Sequence, residues 1–109
     1  MKILKSFPNL IEDIKQANEA AKKAASEVED GGSCNLDHVI WRYPGRYSKA
    51  WGKLLDKTGV SWYKRSYDSS IVFNFSGGGQ ADKNFIAQEA GAKYLKELGY
   101  KTHVYYLLD

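Results

Sequence analysis

Between residues 10 and 28 the apolar positions recur at alternating steps of four and three: Leu10, Ile14, Ala17, Ala21, Ala24 and Val28. A helix turns once in about 3.6 residues, so these positions share one stripe. Glu12, Lys15, Glu19, Lys22 and Lys23 fall opposite it. Pro8 suits a first helical turn, with Ser6 or Phe7 just outside, and Asp30-Gly31-Gly32-Ser33 stops the run. The middle of the stripe is alanine. It buries little area but lets another surface approach closely.

The pattern then changes period. Leu36 to Tyr43 is short, rich in β-branched and aromatic residues, and bounded by Pro44-Gly45, which predicts a strand. Ser48 is placed to cap a second helix whose buried face is Trp51, Leu54 and Leu55, closed by Thr58-Gly59. Val60 to Tyr67 and Ile71 to Phe75 read as strands around the hairpin turn Asp68-Ser69-Ser70. After Ser76-Gly77-Gly78-Gly79-Gln80, a third helix runs from about Asp82 to Leu98 with Phe85, Ala92 and Leu95 inward and Gly99 as its stop. Tyr100 to Leu108 is the last strand.

The expected fold is α+β: a ferredoxin-like β-α-β-β-α-β antiparallel sheet over residues 31–109, with an additional N-terminal amphipathic helix over residues 1–30. Two helices cover one face of such a sheet. The extra helix either covers the other face or projects as a dimer or partner helix.

A chain of 109 residues is the size of a single domain. Its 16 basic and 13 acidic residues leave a net charge of +3, which favours an anionic partner without the strong basic face of a duplex-DNA binder. One cysteine, Cys34, excludes an internal disulfide and fits a reducing compartment. Met1 to Leu10 lacks a signal-peptide core, and no run approaches the ~20 apolar residues of a membrane span. The expectation is a cytoplasmic protein with no membrane partner.

Four constellations could carry chemistry. Around Gly31 to His38, Cys34 with His38 or His103 offers a thiol and a base, the basis of a cysteine-dependent or metal-assisted hydrolase. The more economical reading makes Cys34 a small buried hydrophobe beside a turn bonded by Asn35 and Asp37. No CxxC or HxxxH pair gives metal spacing, so neither a metal nor another cofactor is expected. The glycines before the third helix let the amides around Gly78 and Gln80 approach an anion, or else serve a tight turn. Aromatic and basic residues interleave in Trp41-Arg42-Tyr43-Pro44-Gly45-Arg46-Tyr47 and Trp62-Tyr63-Lys64-Arg65-Ser66-Tyr67, a composition suited to single strands or nucleotides. Ile71, Phe73 and Phe75 share a face that reads as core, and the third strand lacks the basic-Gly-aromatic pattern of RNA-recognition motifs.

Gly31-Gly32-Ser33-Cys34-Asn35-Leu36-Asp37, the step Gly79-Gln80 into a helix, and the ending Gly99-Tyr100-Lys101-Thr102-His103-Val104-Tyr105-Tyr106 through Asp109 resemble small domains encoded by phages and conjugative elements. The anti-CRISPR proteins are one such group. The resemblance covers about residues 30 to 109 and implies a stoichiometric binder of host defence machinery or its signals. It supplies no catalytic residues.

The function expected is therefore a non-catalytic binder of a nucleotide, a nucleic acid or a host nucleoprotein. The contact residues expected are Arg42, Arg46, Tyr47, Lys64 and Arg65, with the amides of Gly78 and Gln80. The alternatives are a module dimerising through the first helix and the hydrolase built on Cys34.

Overall fold

The computed structural model describes residue 5 and residues 7–27, 38–42, 48–65, 70–75 and 81–105, with the helix path alone at 81–83. The elements in order are α1 (Leu10–Ser26), β1 (His38–Trp41), α2 (Lys49–Asp56), β2 (Ser61–Lys64), β3 (Ile71–Asn74), α3 (Ala81–Glu97) and β4 (Thr102–Tyr105). Among the described residues these form an α+β fold of three helices and one four-stranded antiparallel sheet.

The strand order is β2-β3-β1-β4, and every neighbouring pair is antiparallel. β1 and β2 both oppose β3, so they run in the same direction with β3 inserted between them. The register places Trp62, Phe73, Val39 and Val104 in one row across the sheet, and Lys64, Ile71, Trp41 and Thr102 in the next such row. Side chains alternate between faces along a strand, so these two rows share a face. Val39, Trp41, Ile71 and Phe73 belong to one core cluster with the buried residues of all three helices. This is the helix-covered face.

α1 is a full member of that helix layer. Leu10, Ile14, Ala17, Ala21 and Ala25 are completely buried, and α1 packs along α3. The small side chains allow the close approach that the alanine stripe predicts. The stripe ends on Ala25 rather than Ala24, which is only half-buried, and Val28 lies outside the described residues. Neither expected placement of this helix, over the second sheet face or projecting from the fold, describes it. Phe7, just ahead of α1, stacks on Tyr100 with ring centroids 4.3 Å apart and meets Trp41 edge-on at 5.6 Å.

Local chemistry sets the helix ends. The Ser48 side chain accepts a hydrogen bond from the Trp51 N–H at 3.3 Å, the capping bond expected for α2. Trp51 and Leu55 are buried and Leu54 is half-buried. α3 ends in paired bonds: Gly99 N–H donates to Lys96 O and Tyr100 N–H to Leu95 O, both at 3.0 Å. Gly99 takes a φ of +99° to make this turn, a region disfavoured for residues with a Cβ.

The inward face of α3 departs from expectation. Ala92 and Leu95 are buried, but Phe85 is only half-buried, and Asn84, Ala87 and Gln88 hold the inner positions. Gln88 Oε1 accepts from Phe75 N–H and its Nε2 donates to Phe75 O, both at 3.1 Å. Nε2 also donates to Asn84 Oδ1 at 3.1 Å. The side chain thus satisfies both backbone groups of Phe75, just past the end of β3. One turn later Gly91 sits directly over the Phe75 ring: a Cβ there would lie 2.6 Å from Cε2.

Candidate nucleic-acid interface

The face of the sheet turned away from the helices follows from the same register. Tyr63, Val72, Ile40 and His103 form one row across it, and Ser61, Asn74, His38 and Tyr105 form another. Two backbone bonds extend the ladder one residue further: Arg65 N–H donates to Ser70 O at 2.8 Å and Arg42 N–H to Lys101 O at 2.9 Å. The register therefore continues into a third row, Arg65, Ser70, Arg42 and Lys101. Alternation assigns it to the second face, since the neighbouring row, Lys64 to Thr102, belongs to the helix side.

Trp62 fixes this assignment at β2. It is half-buried, and its Nε1–H donates to Asp56 Oδ1 at the end of α2 at 2.8 Å. With Trp62 tied to the helix side, Tyr63 points the other way and is 55% exposed. On β4, Tyr105 is 44% exposed and stacks on its cross-strand partner His38, with centroids 5.2 Å apart and planes 18° from parallel. The centre of the face is closed: Ile40 and Val72 are each 1% exposed although neither belongs to the helix-side core. What the face offers lies along its margins, as a cationic row at one end, Tyr63 on one side, and His103 with the His38–Tyr105 pair on the other.

The charge distribution is one-sided. Among the described residues every Asp and Glu lies on a helix or, for Glu27, at a helix cap: Glu12, Asp13, Glu19, Asp56, Asp82, Glu89 and Glu97. No described strand residue is acidic. Among the described residues the strands thus carry cations and rings and no carboxylate that would repel a phosphate.

Of the residues expected to make contacts, Arg42 and Arg65 come together in this row. Lys64 does not: alternation turns it to the helix side, beside Ile71. Adjacent residues in a strand cannot serve one face, so only one of the Lys64-Arg65 pair can join Arg42. Arg46, Tyr47, Gly78 and Gln80 lie outside the described residues, as does Cys34. His38 and His103, considered above as bases, both belong to the second face. Among the described residues no three His, Cys, Asp or Glu side chains converge as a metal site would require. Likewise, no described helix is long and apolar enough to cross a membrane.

Lys101, Tyr63 and Tyr105 complete the surface and were not among the expected contacts. The signal for Tyr63 was present: Trp62 and Tyr63 must face opposite ways in a strand, so one ring had to be turned from the core. Lys101 and Tyr105 need the β1–β4 register, which a single strand does not encode. The chain matches no protein-family model, no curated protein and no solved structure.

Proposed function

We propose that the protein is a non-catalytic binder of single-stranded nucleic acid or a nucleotide, with the second face of its sheet as the contact surface. One observation carries this reading: Arg65, Arg42 and Lys101 stand in a row beside exposed rings on a sheet whose described residues include no acid. Four strands spaced about 4.8 Å apart make the row roughly 14 Å long, enough to meet more than one phosphate. Tyr63 and the His38–Tyr105 pair supply flat apolar surfaces for bases. Base–aromatic stacking contributes about 1–3 kcal/mol per base and tolerates any sequence. The closed centre directs a bound strand along the margins.

The strand order, with β3 between the like-directed β1 and β2, supports reading the fold as ferredoxin-like with α1 added to its helix layer. RNA-recognition motifs use the exposed face of a comparable sheet, with rings on the two central strands. Here the exposed rings stand on the outer strands β2 and β4 instead. Action against a host nucleoprotein or defence signal, in a phage or mobile element, rests on the sequence resemblance alone. Dimerisation through α1 would require its buried stripe to leave the core. The hydrolase alternative turns on Cys34, outside the described residues.

The test is fluorescence anisotropy with a labelled oligouridylate, its DNA counterpart and a dinucleotide at low salt. The double variant Arg42→Glu, Arg65→Glu is expected to lose at least about tenfold in affinity, since each reversal replaces attraction by repulsion. Lys64→Glu, turned to the other side, is expected to lose much less. Equal losses in the two variants, or no binding by the parent protein, would refute the assignment.

A further inference from the structure

We propose that the groove between α3 and the outer edge of β4 takes an extended acidic peptide segment as an added strand. This inference uses a different surface from the one above and does not depend on it. β4 ends the order of the described strands, so among these it is bonded to β1 along one side only. The bond from Arg42 N–H to Lys101 O marks that position as a hydrogen-bonded pair. Pairs alternate in an antiparallel ladder, so Lys101, His103 and Tyr105 direct their backbone groups to β1, while Thr102 and Val104 direct theirs outward. The Thr102 N–H is already engaged with Tyr100 O at 3.1 Å. Val104 presents both an N–H and a C=O, and Thr102 a C=O, to an incoming strand.

The edge does not open onto flat solvent. α3 runs beside it and leaves a groove of about 330 Å³, lined by Glu89, Ala92, Lys93 and Lys96 from the helix and by Thr102, Val104 and, at its rim, His103 from the strand. Thr102 Oγ1 donates to Ala92 O at 2.8 Å, which fixes the helix against the strand. A strand added to β4 would place alternate side chains under α3, as peptides that extend a sheet edge do. Lys93 and Lys96 are both exposed and attract acidic side chains there. Glu89 stands about one turn before Lys93 and repels them at the opposite end. The groove therefore selects by charge as well as by backbone pairing.

The full-length ¹⁵N-labelled protein would be titrated in NMR with an end-blocked hexapeptide alternating Val and Glu, and separately with its Val-Lys counterpart. The Val-Glu peptide is expected to shift the Thr102, Val104, Lys93 and Lys96 amides saturably, and to bind at least about tenfold more tightly than the Val-Lys peptide. In the double variant Lys93→Glu, Lys96→Glu that preference is expected to reverse. Equal binding of the two peptides, shifts confined to β2 or the second face, or no shift at millimolar peptide would overturn the proposal.

Discussion

Tyr100 is buried under Phe7, and its hydroxyl donates to Asp13 Oδ2 at 2.7 Å, joining the segment between α3 and β4 to the first turn of α1. Burial, then the bond to Asp13 and its negative charge, hold the phenol well above the ordinary tyrosine range. In the unfolded chain the group ionises near about 10. Below that pH both states keep the proton and the contribution is complete. Above it only the folded state does, so stability falls as pH rises, with a slope approaching 1.4 kcal/mol per pH unit, roughly. Tyr100→Phe is expected to cost about 1.5 kcal/mol at neutral pH and to flatten that alkaline slope. Urea unfolding of both proteins across this range checks it, and parallel slopes would contradict it. Gln88 makes a second residue-scale case. It is completely buried and serves both backbone groups of Phe75. Gln88→Leu keeps the volume but strands an N–H and a C=O, and is expected to cost about 2–4 kcal/mol in the same assay. The sequence predicts Phe85 on the inner face, yet it is only half-buried. Only the end of β3, remote in sequence, explains why a glutamine holds an inner position.

From Leu10 onward each described element was legible, the first helix from its periodicity and the strands from β-branched and aromatic runs bounded by turn residues. Boundaries and faces were less legible. The run from Val60 to Tyr67 contains the four-residue strand Ser61–Lys64, with the bond from Arg65 extending its ladder by one position. The stripe on α1 was correct through Ala21, yet its role was not readable, since amphipathicity shows that a face is covered and not by what. The structure supplies α3 as the cover. Ala21, completely buried within this helix layer, is therefore a sensitive position. Ala21→Leu adds volume where none is available and is expected to destabilise by about 1–3 kcal/mol. Were α1 an exposed assembly helix, the same change would leave stability intact and promote association. The urea midpoint, followed with sedimentation, separates the two outcomes.

At the scale of the molecule the division is between a helix layer holding all the described acids and a sheet holding none. Composition could show only a small positive balance. Which side carries it depends on register, and register needs both partners of every strand pair. Interleaved rings and cations in the chain pointed to Arg42 and Arg65, but also to Lys64, because a linear pattern does not resolve the faces of an edge strand. Lys101 and Tyr105 joined the surface only through pairing with β1. The cationic row makes a quantitative demand. Three cations meeting phosphates of a single strand should give a log–log dependence of affinity on salt with a slope near about −2, at roughly −0.7 per contact. The most direct measurement is that slope for a labelled oligouridylate, taken on the parent protein and on Arg42→Glu, Arg65→Glu. The prediction is a slope near about −2 that falls toward zero in the variant. Binding that ignores salt, or a slope the variant leaves unchanged, would contradict a phosphate-contacting role for this face.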